Sequence, residues 1–254
     1  MAVTDRRRGR DGDPFEDPTD ETAERFWASL DVAGTSDDVV AIGDDLRPGV
    51  LLAAYRHGCF PWPSPGWPAV PWCSPDPRGV LWLTDLHVSR SLRRRLRNCE
   101  WSTTVDVAFD AVVAACADRR ETWIIPRMAD AYGTLHRSGV AHSLEVWRED
   151  HLLGGVYGVL TGGIFSGESM FSAETDGSKV ALVDLAHRLR AAGAVLLDCQ
   201  QPTAHLQTMG QVALPRADYL AVLRRVRDRP LRLDPTRLPV GRLGKTDAPG
   251  AVGW

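Results

Sequence analysis

Hydrophobic and polar positions follow two different periods along the chain, and the change falls near residue 140. Before that point, apolar residues recur three to four positions apart, as on one face of an amphipathic helix. This spacing predicts helices over residues 48–57, 89–97, 105–117 and 129–137, with a short strand at 79–83. The first of these helices has a proline in its first turn and is followed by Gly58, a usual stop signal.

After residue 140 the apolar positions alternate with polar ones, as they do in half-buried strands. Residues 142–147, 152–160 and 164–171 are separated by short turns and predict an antiparallel meander. A helix over 179–192 follows, with Ser178 as its N-cap and Gly193 as its stop, and residues 194–199 predict a buried strand. This order of elements matches the core of acyltransferase folds of the GNAT type (acyl-CoA N-acyltransferases). The predicted fold class is therefore α+β, with a small N-terminal domain and a GNAT-like mixed-sheet domain.

Composition divides the chain into four parts. Residues 1–24 are polar and lack periodicity, which predicts a disordered tail. Residues 25–78 predict a small N-terminal domain, which ends in a loop with seven prolines between Pro61 and Pro77. We expect that loop to be ordered because it carries three tryptophans, but its prolines argue against regular structure. Residues 79–236 predict the larger catalytic domain, and residues 237–254 predict a C-terminal tail.

Bulk composition restricts the class of protein. A hydrophobic content of 44% and a charged content of 25% are typical of a globular protein, and no apolar run approaches the roughly 20 residues of a membrane span. The five cysteines are scattered and contain no CxxC pair, which argues against a disulfide framework or a zinc site. We therefore expect a cytoplasmic protein, and a monomer by default. Residues 11–45 hold twelve acidic residues and one arginine, which leaves the rest of the chain mildly basic and compatible with a polyanionic partner.

Two carboxylates interrupt the most apolar strands, and they are the first candidates for chemistry. They are Glu168 in FSGESMF and Asp198 in LLDCQ. Burial of a carboxylate is costly unless the group is paired or used. Strand alternation predicts that Asp198 and Gln200 share one face, so that Asp198 orients the Gln200 amide and leaves its carbonyl for a proton donor. Cys199 then faces the other way, as a buried hydrophobic residue rather than a nucleophile.

Each of these assignments has a structural alternative. Asp198 could cap a neighbouring loop, and Glu168 could be an edge-strand residue that faces solvent. In favour of a functional role, Gly167 beside Glu168 allows something to approach the backbone closely, so the carboxylate could receive a cationic group. His205 follows shortly after Asp198 and is a weaker candidate for the same site.

The sequence argues against a bound nucleotide cofactor, but one of its helices is compatible with RNA binding. The glycine pairs 154–155 and 162–163 lie in or between strands, and the entry to helix 179–192 has one glycine, so a pyrophosphate loop for CoA is not expected. The helix at 89–97 is strongly basic, which fits contacts with an RNA backbone, although a solvated helix face is the simpler interpretation. Its arginines are Arg90, Arg93, Arg94, Arg95 and Arg97.

Nine segments in order, between about residues 42 and 223, together resemble one known family. They are AYRHGCFPWPSP, WCSPDPRGVL, HVSRSLRRRLR, TWIIPRMADAYGTLHRSGVAHSLEVW, LLGGVYGVLTGGIFSGESMFS, SKVAL, LLDCQ, HLQTMG and LPRADYL. The sequence in these segments resembles the leucyl/phenylalanyl-tRNA–protein transferase family. That resemblance implies transfer of Leu or Phe from aminoacyl-tRNA to the α-amine of proteins that begin with Arg or Lys, which marks them for N-degron proteolysis. It implies a reaction without a metal, CoA or another cofactor.

The resemblance also implies roles for individual residues. Asp198 and Gln200 match the pair at the attacking amine, and Glu168 matches the acid that positions the basic acceptor. Residues implied in donor binding are Trp62 and Trp123, which match the indoles at the terminal adenosine of the tRNA, and Phe165, Gly167 and Met170, which match the aminoacyl side-chain pocket. Two rival functions stay open: an acyltransferase of the same fold with another donor, such as an acyl-CoA, and a non-catalytic RNA-binding protein.

Overall fold

The computed structural model describes residues 19–64, 69–120 and 122–245, and these form a mixed α+β structure. In chain order its elements are α1 (Glu21–Ser29), β1 (Val39–Ile42), α2 (Pro48–Arg56), β2 (Phe60–Pro61), β3 (Pro71–Cys73), β4 (Arg78–Trp82), α3 (Arg90–Asn98), β5 (Ser102–Val105), α4 (Phe109–Ala117), α5 (Pro126–Arg137), β6 (Ala141–Arg148), β7 (His151–Thr161), β8 (Ile164–Ser172), α6 (Gly177–Ala191), β9 (Leu196–Gln200), α7 (Ala204–Gln207), β10 (Val212–Leu214), α8 (Arg216–Val226), β11 (Leu238–Pro239) and a 3-10 helix (Val240–Gly244).

The large sheet has eight strands in the order β10-β4-β9-β8-β7-β6-β5-β11. Strands β6, β7 and β8 form the predicted antiparallel meander, and α6 then crosses over to β9, which runs parallel to β8. The other neighbours in this sheet pair antiparallel. The predicted α+β class with a mixed sheet is confirmed.

Both faces of the large sheet are covered by helices. One face packs against α1, α2, α4, α5 and α8, and the other packs against α3, α6 and the 3-10 helix. The side chains of α1 and α2 belong to the same hydrophobic cluster as those of β7, β8 and β9. Residues near the N-terminus therefore help to build one wall of the region around β8 and β9.

The proline-rich loop contains strands, so the prediction of no regular structure there is wrong. Strands β2 and β3 pair with each other, and β1 joins β3 to complete a three-stranded sheet in the order β1-β3-β2. The prolines do not prevent this, because Pro71 stands at the first position of its strand and the backbone of Trp62 supplies an N–H to the Pro71 carbonyl. Trp67, the remaining tryptophan of the loop, lies outside the described residues.

Both chain ends are structured further than the sequence predicts. Helix α1 begins at Glu21, inside the predicted tail, because Asp20 caps it and Trp27 is buried; residues 1–18 lie outside the described part of the chain. At the other end, Val240 and Leu243 of the 3-10 helix are buried against α3, whereas residues 246–254 of the predicted tail are not described.

For most of the other predicted elements, the predicted and observed boundaries agree to within a few residues. The helix expected over 105–117 starts only at Phe109, because Val105 is the last residue of β5, which pairs with β6, and Asp106 after it has a left-handed backbone (φ 61°). Helix α6 starts at Gly177 rather than after Ser178, and its N-cap is Asp176 in a left-handed conformation (φ 71°). Gly177 is needed there because a Cβ atom would lie 2.4 Å from the Leu153 carbonyl oxygen. No helix in the described residues is both long and apolar enough to cross a membrane.

Candidate active site

A cavity opens where the two parallel strands at the centre of the sheet diverge. Strands β8 and β9 pair from Ile164 and Leu196 as far as Ser166 and Asp198, and beyond that point their pairing stops. The gap leads into a cavity of about 480 Å³. Glu168 and Gln200, each two residues beyond the last pair, both line it. The fold therefore brings two of the predicted site residues together at one opening in the sheet.

One bulge in the strand pairing lies at Glu168, and a second lies at Cys199, next to Gln200. Between β7 and β8, Gly158 pairs with Gly167 and Tyr157 pairs with Ser169, so Glu168 is an extra residue without a partner. Between β4 and β9, Gly79 pairs with Gln200 and Val80 pairs with Asp198, so Cys199 is extra. Bulges redirect the side chains around them, and Gln200 in addition has a left-handed backbone (φ 64°).

Glu168 is buried, yet no cation neutralises it among the described residues. Its Oε1 accepts hydrogen bonds from the Tyr55 hydroxyl at 2.7 Å and from Gln200 Nε2 at 2.8 Å. Its Oε2 accepts one from the Tyr132 hydroxyl at 2.7 Å. Burial raises the pKa of Glu168 to about 7, although the hydrogen bonds from the two tyrosines lower it in part. The carboxylate thus changes its charge near neutral pH.

The partners of Glu168 come from distant parts of the chain. Tyr55 lies on α2 and Tyr132 on α5, and their hydroxyls are 2.7 Å apart. Burial and the nearby Glu168 charge raise the pKa of both tyrosines well above the usual value, so both remain protonated donors. The sequence pattern gave no sign of this pair, because each tyrosine is one buried residue among several on its helix.

Asp198 belongs to a sealed cluster behind the cavity and does not line it. Arg78 binds its two oxygens with Nε and Nη2 at 2.8 and 2.7 Å, and the hydroxyls of Tyr219 and Ser166 bind Oδ2 at 2.9 and 3.1 Å. Burial alone would raise the pKa of Asp198, but the charge and hydrogen bonds of Arg78 outweigh it and hold the pKa below its usual value. Asp198 is therefore the ionised partner of a buried arginine.

The expected contact between Asp198 and the Gln200 amide is absent. Asp198 Oδ1 instead accepts the backbone N–H of Gln200 at 2.9 Å, and the Gln200 side chain turns to Glu168. The prediction that the two side chains share one face and interact is wrong, because the bulge at Cys199 and the left-handed backbone at Gln200 interrupt the strand alternation. Glu168, rather than Asp198, holds the amide nitrogen, and this leaves the amide oxygen without a hydrogen bond from any described residue.

Two tryptophans far apart in the sequence meet at one side of the cavity. Trp62 follows β2 and Trp123 precedes α5, and their rings stack with centroids 6.4 Å apart and planes 23° from parallel. Both line the cavity and both are partly exposed. The structure therefore offers the aromatic faces expected for a nucleobase.

The opposite wall is apolar, but its composition differs from the expectation. Gly167 and Met170 line the cavity as predicted, whereas Phe165 is fully buried behind it and does not. Four apolar lining residues were not anticipated: Val156, Leu182, Leu197 and Leu206. They lie on four different elements, and their spacing along each element is the same as that of ordinary core residues. The sequence therefore could not distinguish them from the core.

The remaining candidates lie around the cavity or away from it. His205 and Cys199 line it. The prediction that Cys199 is buried on the face opposite to Gln200 is wrong, because the bulge at Cys199 interrupts the strand alternation and the residue is half-buried at the cavity. Burial raises the pKa of its thiol, which makes it a poor nucleophile, as expected. The basic helix is α3, and its arginines face outward while Leu92 and Leu96 are buried. Arg95 is partly tied down, by Asp176 at 3.6 Å and by the Trp101 ring at 5.4 Å.

Comparison with known proteins places the chain in a family. The family described as leucyl/phenylalanyl-tRNA protein transferase matches residues 80–224, and the N-terminal domain of the same family matches residues 44–76. A protein from Stutzerimonas stutzeri named leucyl/phenylalanyl-tRNA–protein transferase is 52% identical over 200 residues, which cover 77% of this chain and 88% of the relative. The chain belongs to the leucyl/phenylalanyl-tRNA–protein transferase family.

Further relatives carry the same name. One from Chromohalobacter salexigens is 51% identical and covers 74% of each chain, and one from Pseudomonas aeruginosa LESB58 is 50% identical over 76% of this chain and 86% of its own. A solved structure of a functionally unknown protein from Staphylococcus epidermidis is 13% identical over 54% of this chain and 56% of its own, with a TM-score of 0.37, too low to support an argument. The expected family is confirmed, and with it an enzyme that transfers an aminoacyl group from tRNA to protein.

Membership in the leucyl/phenylalanyl-tRNA–protein transferase family does not by itself assign roles to residues. The structure adds hydrogen-bond partners of Glu168 and Asp198 that the sequence did not reveal, above all Arg78 and the tyrosines at positions 55, 132 and 219. Arg78 did leave a signal, because it is a lone charge at the start of the apolar segment RGVLW. A buried aspartate predicted on a neighbouring strand requires such a cation.

Proposed function

We propose that this cavity joins Leu or Phe, delivered as the ester of a tRNA, to the α-amine of a protein that begins with Arg or Lys. The observation that carries this proposal is the combination of three walls in one cavity: a tryptophan pair, an apolar surface and a buried carboxylate–amide pair. An ester of adenosine and an amine need these three surfaces at once.

The donor would occupy the tryptophan and apolar walls. Trp62 and Trp123 offer ring faces for the terminal adenine, and base stacking of this kind contributes about 1–3 kcal/mol per base. The Leu or Phe side chain would lie against Met170, Leu182 and Leu197, above Gly167. Apolar pockets discriminate by shape at about 1–3 kcal/mol per methylene, which is enough to disfavour a side chain branched at Cβ while accepting both Leu and Phe.

The acceptor would occupy the carboxylate wall. Three donors already bind the Glu168 carboxylate, which has about four lone-pair positions, so Oε2 retains room for one further N–H. We assign this position to the cationic Arg or Lys side chain of the acceptor. Since no described cation pairs with Glu168, an incoming guanidinium or ammonium supplies the missing charge partner.

Gln200 is placed to accept a hydrogen bond from the attacking amine. Its Nε2 is held by Glu168, so its carbonyl oxygen is oriented and available. The amine nitrogen attacks the ester carbonyl, a C–N bond forms, the C–O bond to the ribose breaks, and the proton lost by the amine goes to the ribose oxygen. The ester is already activated, so the main task of the protein is to orient the two reactants.

Asp198 is a positioning residue in this proposal. It accepts the Gln200 backbone N–H and thereby supports the left-handed turn that brings the Gln200 side chain into the cavity. Arg78 fixes Asp198 in turn. Loss of this support should lower activity through the orientation of Gln200 rather than through lost contact with substrate.

Further parts of the proposal concern the whole protein. The meander β6–β8, the crossover helix α6 and the parallel strand β9 support a GNAT-like catalytic domain over residues 79–236, with residues 25–78 as a smaller N-terminal domain. The outward arginines of α3 would contact the tRNA backbone.

Because the donor is a tRNA, the reaction would take place in the cytoplasm, and an added Leu or Phe would mark the acceptor for N-degron proteolysis. The monomeric state stays a prediction.

The decisive experiment is a transfer assay with radiolabelled Phe-tRNA and a peptide that begins with Arg. We expect label in the peptide without added metal or CoA, and little transfer to a matched peptide that begins with Asp. Binding of the tRNA without transfer would favour a non-catalytic RNA-binding protein. Transfer to the peptide from an acyl-CoA instead of from Phe-tRNA would favour the rival acyltransferase.

A further inference from the structure

One charged residue at the cavity has no part in the proposed transfer reaction. Arg119 follows α4, is exposed, and lines the same cavity as Trp62, Trp123 and Glu168. It is the one Lys or Arg among the described lining residues, and it forms no ion pair with any other residue that the structure describes.

The guanidinium of Arg119 is held in place without being neutralised. Its Nη2 donates a hydrogen bond to the backbone carbonyl oxygen of Met170 on β8. An Arg guanidinium has five N–H donors in a fixed plane, and its other donors bind no other described residue. The side chain is therefore anchored at one point of the apolar wall, and it keeps a positive charge and several N–H donors that an anion could bind.

The chemistry of the proposed donor supplies such an anion. A terminal adenosine that stacks on the tryptophans carries the ester on one side of its ribose and a phosphate on the other. With the ester at Glu168 and Gln200, that phosphate lies one sugar away from the reacting carbon. Arg is well suited to phosphate oxygens, because its planar donors bind two oxygens at once.

We propose that Arg119 binds the phosphate between the terminal adenosine and the preceding nucleotide of the donor RNA. This inference rests on the proposed function, and it names a contact distinct from those of the α3 arginines. The contact would fix the ribose between the stacked base and the ester. An RNA end without that phosphate would keep its base stacking and its aminoacyl contacts but lose this anchor.

The test compares three phenylalanyl donors: Phe-tRNA, the Phe ester of the dinucleotide CpA, and the Phe ester of adenosine, which lacks the phosphate. For Arg119→Gln we expect the KM for the first two donors to rise about tenfold, the scale of one charge-assisted hydrogen bond, with kcat little changed. The KM for the adenosine ester should stay the same. Arg119→Lys should recover part of the loss, because it restores the charge without the planar donors.

Arg120→Gln is the matched control, because Arg120 is exposed, adjacent and absent from the cavity lining. An equal loss in this control would mean a general electrostatic effect and would overturn the proposal. So would an Arg119→Gln effect of the same size on the adenosine ester, which would show that Arg119 only supports the Met170 carbonyl, or no effect on any donor. If the wild-type protein transfers Phe from none of the three, the proposed function itself fails, and this inference with it.

Discussion

Asp198 and Glu168 are buried carboxylates on neighbouring strands, each held by several hydrogen bonds, yet they differ in their charge partner and in their position relative to the cavity. Asp198 has a bidentate cation, Arg78, and faces away from the cavity. Glu168 has two tyrosines and an amide, no described cation, and a position on the cavity wall. A full charge partner makes a carboxylate structural, whereas neutral donors leave it able to titrate and to bind a cation from outside.

The largest expected effect is a difference in the free energy of unfolding between variants of the two carboxylates. Asp198→Asn removes the charge partner of Arg78 and leaves that arginine buried and unpaired, which costs about 3–5 kcal/mol. Glu168→Gln leaves no unpaired cation behind and weakens three hydrogen bonds, so we expect a loss of about 1 kcal/mol. Urea unfolding of both variants measures the difference. Equal losses would mean that the charge partner is not what distinguishes the two sites.

The next effect concerns pH and the charge of the acceptor. The pKa of Glu168 is raised to about 7, so below pH 7 the carboxyl becomes neutral and no longer attracts a cation. We expect kcat/KM for a peptide that begins with Arg, relative to one that begins with the neutral isostere citrulline, to fall up to about tenfold per pH unit below 7. The ratio cancels the titration of the α-amine, which both peptides share.

Glu168→Gln is the control for this pH profile. The variant carries no charge at any pH, so its Arg-to-citrulline ratio should be low and flat between pH 6 and 8. A ratio that still falls with pH in this variant would assign the titration to another group. A flat ratio in the wild type would contradict the assignment of Glu168 to the cationic side chain of the acceptor.

The difference between the two carboxylates also shows what the sequence could and could not predict. The hydrophobic periodicity and the turn residues were enough to predict the meander, α6 and β9, because those elements depend on local patterns that are visible in the sequence. The same patterns marked Glu168 and Asp198 as anomalies in apolar strands. They could not assign the partners, since Tyr55, Tyr132, Arg78 and Tyr219 reach the two carboxylates from 21 to 120 residues away.

The wrong prediction that the Gln200 and Asp198 side chains share one face of the strand has a specific physical cause. Strand alternation holds only while the pairing is regular, and one extra residue on β9 reverses the faces beyond it. A bulge on β9 leaves no sequence mark in LLDCQ, which contains neither glycine nor proline. The bulge on β8 has a weak one in Gly167, since an isolated glycine in a strand indicates a bulge or a close approach.

The smallest expected effect is that of a methyl group on Gly167, and Gly158 on the neighbouring strand is its comparison. A Cβ on Gly167 would lie 3.7 Å from the Asp198 carbonyl oxygen, an ordinary contact, whereas one on Gly158 would lie 2.1 Å from the Ser166 carbonyl oxygen. Gly167→Ala should therefore fold with near wild-type stability and place a methyl group in the apolar pocket. Gly158→Ala should lose about 1–3 kcal/mol or more through overpacking against backbone.

The consequence of Gly167→Ala should appear in the choice of donor rather than in the rate for every donor. One methyl group of extra volume disfavours the bulkier Phe side chain more than Leu, so kcat/KM for Phe-tRNA should fall about tenfold relative to Leu-tRNA. The acceptor KM should stay constant, because Glu168 keeps its three hydrogen-bond donors. Competition between the two labelled donors in one reaction measures the ratio directly. A uniform loss for both donors would instead mean that the methyl group displaces Glu168, and the apolar wall would then have no separate part in side-chain selection.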